Sequence, residues 1–189
     1  MKIKWALNEL KKYQDEPLQI SGTIDFSRSL KERDADVISV EPVDITGVIE
    51  VDKTSVYYVT LRVSTKMTLP STRSLEPVNV SQSFSFSEVY LGVHSPVDES
   101  EFDKNEIVER LSDETLDLRK PIEDAILTNK PTQVFTEEEL KSEKLPSGKN
   151  WKVLTEEKYS EANFTSSEEE GDPRMAILKD LFPDNNKND

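Results

Sequence analysis

The stretch SVYYVTLRVSTKMTL, residues 55–69, and its near echo VNVSQSFSFSEVYL, residues 78–91, decide the fold. Both alternate apolar and polar residues and draw on Val, Tyr, Phe and Thr, which is the two-residue period of a half-buried strand. In the second stretch Val78, Val80, Phe84 and Phe86 share one face. Upstream, Val37 to Asp52 is β-branched and alternating as well, and the turn Asp52-Lys53-Thr54 folds it back on residues 55–69. Pro70 and Pro77 bracket the connector into the third long strand. A shorter strand is expected over 18–26, where Leu18, Ile20, Gly22, Ile24 and Phe26 alternate inward.

Outside these strands the periods change. Residues 3–13, IKWALNELKKY, place Ile3, Leu7 and Leu10 at helical spacing and predict a short amphipathic helix that ends before Pro17. Residues 28–36 read as a charged connection. Past Leu91, turn formers and acids predict a loop, with a helical turn around Ile107, Val108 and Leu111. LDLRKPIEDAILTNKP, residues 116–131, puts Pro121 in the first turn of a helix carrying Ile122, Ala125, Ile126 and Leu127. Beyond Pro131 the chain is acidic and weakly periodic, and Asp172-Pro173 opens a last helix bearing Met175, Ile177, Leu178, Leu181 and Phe182. The fold class expected is α+β, with a curved or barrel-like antiparallel sheet, short covering helices and an acidic, partly flexible C-terminal region. Residues 1–130 are expected to form the β-rich core with its N-terminal and capping helices, and 131–189 an acidic extension ending in a short helix.

Composition narrows the function classes. At 189 residues, with 34% hydrophobic and 33% charged residues, the chain supports one core. The lack of cysteine excludes disulfides, thiolate ligands and cysteine nucleophiles. No run of about 18 apolar residues and no signal peptide is present, so a cytoplasmic protein without a membrane partner is expected. A net charge of −14 repels nucleic acid on average and favours basic protein partners. That charge is unevenly sorted. Residues 98–143 hold fifteen acids against six bases, whereas residues 53–75 hold Lys53, Arg62, Lys66 and Arg73 and no acid.

Catalytic patterns are missing. His94 is the only histidine and lies in a turn-rich acidic loop without a nucleophile motif beside it. There is no phosphate-binding glycine loop and no paired-histidine zinc helix. Among 38 acids, two carboxylates close in sequence say nothing about an acid/base pair. The chain is therefore expected to be no enzyme and to use no cofactor or metal. The candidate nucleic-acid-binding residues are Lys53, Tyr57, Arg62, Lys66 and Arg73, cations for phosphates with rings at Tyr57 and Tyr58 for stacking, although one of two adjacent strand tyrosines must face the core.

Four segments, in order, carry a resemblance: KWALNELKKY (4–13), LPSTRSLEPV (69–78), LDLRKPIEDAILTNKP (116–131) and DPRMAILKDLF (172–182). Together they resemble the YceD family, the large ribosomal RNA subunit accumulation proteins. The resemblance implies a non-catalytic ribosome-biogenesis accessory protein supporting accumulation or processing of large-subunit ribosomal RNA. The partner implied is that RNA or a pre-ribosomal particle. It marks Ser71, Arg73, Ser74, Leu75, Glu76 and Pro77 as the signature connector. The family commonly has cysteine where Ser71 and Ser74 stand, and a later cysteine-rich stretch corresponds to the segment around LPSGKNWKV (145–153), which has none. Serine hydroxyls are poor zinc ligands, so any family metal site is expected to be absent. The alternative function is an acidic chaperone-like module that holds a basic ribosomal protein through Asp98 to Glu143.

Overall fold

The computed structural model describes residues 1–141, 147–149, 151–153 and 159. The chain divides into two units, Met1–Glu137 and Glu138–Asp189. The first contains a sheet of β2 (Leu18–Ile24), β4 (Val43–Val51), β5 (Val56–Pro70), β6 (Pro77–Leu91) and β7 (Val108–Arg110) in that spatial order, with β3 (Ser39–Val40) joining β5 beside β4. All neighbours are antiparallel except β6 and β7. A separate two-stranded ribbon pairs β1 (Lys4–Ala6) with β8 (Thr115–Asp117). In the second unit β9 (Ser147–Gly148) pairs with β10 (Trp151–Lys152).

The three long strands form where the alternation placed them. On β5 the residues Tyr57, Val59, Leu61, Val63, Met67 and Leu69 are buried on one face. Ile45 and Ile49 of β4 and Ile20 of β2 continue that face. Gly47 sits in its middle opposite Leu61, and a Cβ there would stand 2.1 Å from the Thr60 carbonyl oxygen, so β4 and β5 approach too closely for any other residue. Helix α3 (Arg119–Thr128) covers the inner face with Ile122 and Ile126, and Pro121 lies in its first turn as expected. Trp5, Leu7, Leu10, Phe26, Leu30, Leu116 and Leu118 complete the core.

Four expectations need correction. The sheet is mixed in its last pairing and does not close into a barrel, because among the described residues nothing pairs the free side of β2 with β7. The opening segment is no single helix. It runs as β1, a four-residue helix α1 (Leu7–Leu10) and a 3₁₀ turn (Lys11–Tyr13), since Ile3, Trp5 and Leu7 also alternate and Leu118 and Glu114 supply main-chain partners. The charged connection contains helix α2 (Ser27–Arg33), started by Asp25 accepting from the Ser27 N–H at 2.8 Å and anchored by the fully buried Leu30. The turn at 107–111 is β7, whose Arg110 guanidinium donates to the carbonyls of Ser95 and Val97 at 3.3 and 2.8 Å and ties down the preceding loop. Residues 131–134 add buried Val134 to the core, and α4 (Glu137–Lys141) follows. The expected final helix at 173–182 lies outside the described residues. No described helix is long and apolar enough to cross a membrane.

Candidate nucleic-acid interface

Because side chains alternate along a strand, fixing Leu61 and Val63 inward puts Tyr58, Thr60, Arg62, Ser64, Lys66 and Thr68 on the opposite face of β5. The register sets Ser81, Ser83, Ser85 and Ser87 of β6 beside them and Thr46 of β4 on the other flank. The result is an exposed sheet face made mainly of hydroxyls. Cross-strand pairs hold it, with Thr60 and Ser87 hydroxyls 3.0 Å apart, Ser64 and Ser83 3.1 Å apart, and Thr68 donating to Asn79 Oδ1 at 2.9 Å.

Arg62 and Lys66 stand on this face four residues apart, about 13 Å along the strand. Both are exposed, and among the described residues neither forms an ion pair. Acids on or beside the face are Asp44, which accepts from the Thr23 hydroxyl at 2.6 Å, Glu50 opposite Tyr58, Asp52 and Glu106 near the Tyr58 ring, and Glu41, which lines a shallow cleft with Lys66. Lys53 is exposed at the β4–β5 turn, one end of β5, and Arg73 lies in the connector at the other end, roughly 50 Å away along the strand. The five candidate residues therefore do not form one patch. Tyr57 leaves the set entirely. It is fully buried, in phase with Val59 and Leu61, and its neighbour Tyr58 is the exposed ring of the pair. The phase of the alternation, counted back from Leu61, carried that signal.

The connector is a compact loop at the far end of β5 and β6. The Ser71 N–H donates to the Glu76 carbonyl at 2.8 Å, and Leu75 N–H to the Ser71 carbonyl at 3.1 Å. Ser71 is buried, and its Oγ accepts the N–H groups of Arg73 and Ser74 at 3.1 and 3.3 Å. Ser74 Oγ accepts from Glu76 N–H at 3.4 Å. Thr72 anchors the loop to the core through the Val134 carbonyl, which accepts from both its N–H and its hydroxyl. Leu75 takes a left-handed φ of 65° and is 74% exposed, an unusual state for a leucine. The Arg73 guanidinium stacks over the Phe135 ring at 4.4 Å, a partner that no motif indicated. The serines do not fit a zinc ion: a neutral hydroxyl is a weak ligand, and that of Ser71 serves as the loop's internal acceptor. Among the described residues no three His, Cys, Asp or Glu side chains cluster as a metal site.

The family described as "Large ribosomal RNA subunit accumulation protein YceD" matches residues 59–182, well over half of the chain. The chain belongs to the YceD family. The match takes in most of β5, the connector, β6 and α3, and leaves β1–β4 outside it. The chain is also similar to the uncharacterized protein YlbN of Bacillus subtilis (strain 168), with 28% identity over 181 residues, 95% of this chain and 96% of that protein. No solved structure matches. The family's description ties it to the accumulation of large-subunit ribosomal RNA and names no reaction. His94, the one histidine, has a side chain 88% exposed and lies 3.8 Å from Glu114 on the surface.

Proposed function

We propose that this member of the YceD family supports accumulation of large-subunit ribosomal RNA, as the RNA itself or within a pre-ribosomal particle, by binding it on the outer face of the sheet. Arg62 and Lys66 serve as the phosphate contacts, the surrounding hydroxyls donate to phosphate and ribose oxygens, and Tyr58 offers a stacking ring. The observation that carries this reading is that two cations of a strongly acidic chain stand without an ion pair, among the described residues, on the exposed polar stretch of this face from Thr60 to Thr68, beyond the end where Val97, Phe102 and Val108 cover Val56, Val89 and Leu91. The connector, with Arg73 held on Phe135, acts as a second, separate contact at the end of the same hairpin.

Two cations on the face predict a shallow salt dependence. For single-stranded RNA the slope of log K against log salt is expected near −1.4 for two phosphate contacts, to which Arg73 adds about −0.7. Filter binding with large-subunit ribosomal RNA fragments over a salt series measures it. Replacing Arg62 and Lys66 by Glu together should abolish the interaction while the fold persists. Undiminished binding by that double variant overturns the assignment of this face. The alternative, a holder of basic ribosomal protein built on Asp98 to Glu143, predicts instead that these two substitutions change nothing and that removing acids does.

A further inference from the structure

Strand β6 is paired with β5 along its full length, but its other side meets β7 only from Val89 to Leu91. Among the described residues nothing pairs with that side from Pro77 to Glu88. The bonds that do exist show which groups stand free. Val89 N–H donates to the Ile107 carbonyl and the Leu91 carbonyl accepts from Leu111 N–H, each at 2.8 Å, so the odd residues of β6 turn their main chain away from β5. The register with β5 is unbroken from Pro77 to Leu91, which extends the same orientation to Asn79, Ser81, Ser83, Ser85 and Ser87. The close hydroxyl pairs at Ser83 and Ser87 agree, because side chains approach most nearly where facing residues do not exchange main-chain bonds. Five residues thus present N–H and C=O groups outward at intervals of about 6.8 Å.

Proteins usually blunt such an edge with charge, proline or a bulge. Residues 78–87, VNVSQSFSFS, contain none of these. The edge runs, at Glu88 and Ile107, into a cleft of about 560 Å³ where Glu88, Glu109, Asp113, Asp117, Glu123 and Asp124 face only Lys4, Arg119 and Lys120. Arg33 reaches in to pair with Glu123 and Asp124, but among the described residues no cation pairs with Glu88, whose partner is the Tyr90 hydroxyl.

We infer that the free edge of β6 is a docking site for an extended segment of a basic protein, which adds as a further strand along Asn79–Ser87 and lays a Lys or Arg side chain into the acidic cleft at Glu88. Main-chain pairing supplies the binding and the cleft selects the charge. A second copy of the chain would find the same unpaired groups, but two copies at −14 each repel, whereas a cationic peptide is drawn in. This site uses the main-chain edge of residues whose side chains flank Arg62 and Lys66, and it is tested by main-chain protection, without reference to RNA binding.

The test titrates the full chain with a synthetic peptide of about nine residues alternating Arg and Val, and with the same peptide carrying Glu for Arg, while backbone amide exchange is followed by NMR. The Arg peptide should protect the amides of Asn79, Ser81, Ser83, Ser85 and Ser87, and the Glu peptide should not bind. Ser83→Pro deletes an outward N–H without touching the β5 ladder and should weaken binding about tenfold or more, with Ser83→Ala within about twofold of wild type. Should the proline variant fail to fold, the amide pattern of the wild-type chain decides alone. Peptide binding that leaves these five amides exchanging freely, equal binding of the Glu peptide, or protection that appears without peptide as protein concentration rises would each overturn the inference, the last in favour of a second copy.

Discussion

Leu61 and Arg62 are neighbours on β5 yet belong to faces with opposite roles. The inner face is packed by α3 and the opening segment. Between Thr60 and Thr68 the outer face carries Thr, Ser, Arg and Lys held by single hydroxyl pairs, and substitutions there have little packing to disturb, unlike its other end, where Val97, Phe102 and Val108 cover Val56, Val89 and Leu91. The contrast separates the residues that make the sheet from those free to contact a partner. The sharpest way to break it is Leu61→Ala, which removes a side chain that is 1% exposed and faces Gly47 and Phe86. A loss of about 2–5 kcal/mol is expected by urea denaturation. A loss below about 1 kcal/mol would mean that the inner face is not the core.

Next in size is the pair that fastens the end of α3 to the chain after α2. Lys130 Nζ lies 2.5 Å from Asp34 Oδ2 and 3.5 Å from Asp36, with Lys130 and Asp34 side chains both 22% exposed. The Lys130 ammonium holds the Asp34 carboxyl below its ordinary range, and Asp34 in turn raises Lys130. A lowered carboxyl stabilises the fold above its unfolded value of 3.8, and the contribution disappears as pH falls through the folded value. Lys130→Met should therefore cost about 1–2 kcal/mol at neutral pH, and the gap to wild type should close in acid. A gap that is constant with pH would assign the cost to packing alone.

The connector gives a smaller effect. Ser71→Ala leaves the N–H groups of Arg73 and Ser74 without their hydroxyl acceptor in a buried setting, and about 1 kcal/mol of stability should be lost. Ser71→Thr keeps the acceptor and serves as the control. If the connector contacts RNA as proposed, the Ala variant should also weaken that binding, since the loop orients Arg73.

Much of this was legible in the chain. The long strands announced themselves because each buries one face, so the period in the sequence is the period of the packing. Helix α3 was legible through Pro121 and its apolar stripe. Helix α2 was not, since SRSLKER has one apolar residue and is held by side chains 90 or more positions away, Arg33 reaching Glu123 and Asp124. The opening segment carried helical and alternating patterns at once, and the choice was made by a distant strand, β8. The placement of the candidate residues was half legible. Sequence gathered Lys53, Arg62, Lys66 and Arg73 within one hairpin, but a fifteen-residue strand holds its two ends far apart. The hydroxyl face and the unpaired edge of β6 depend on which strands lie side by side, a fact of topology with no local signal.

The smallest expected effect is the one that gives the contrast its meaning. Arg62→Glu with Lys66→Glu alters two exposed side chains that make no described ion pair and lie opposite Ser85 and Ser81. Stability should move by no more than about 0.5 kcal/mol, because exposed charges in water lose or gain little on folding. The sign is set by neighbours. Asp44 is diagonal to Arg62 across β4 and β5, and an acid in place of the arginine adds a weak repulsion there. Raising the salt should remove even that. If urea titration shows the double variant folded as firmly as wild type while its RNA binding is gone, the loss belongs to the interface. If instead the variant unfolds readily, the outer face is part of the framework, and the division of labour between the two sides of the sheet does not hold.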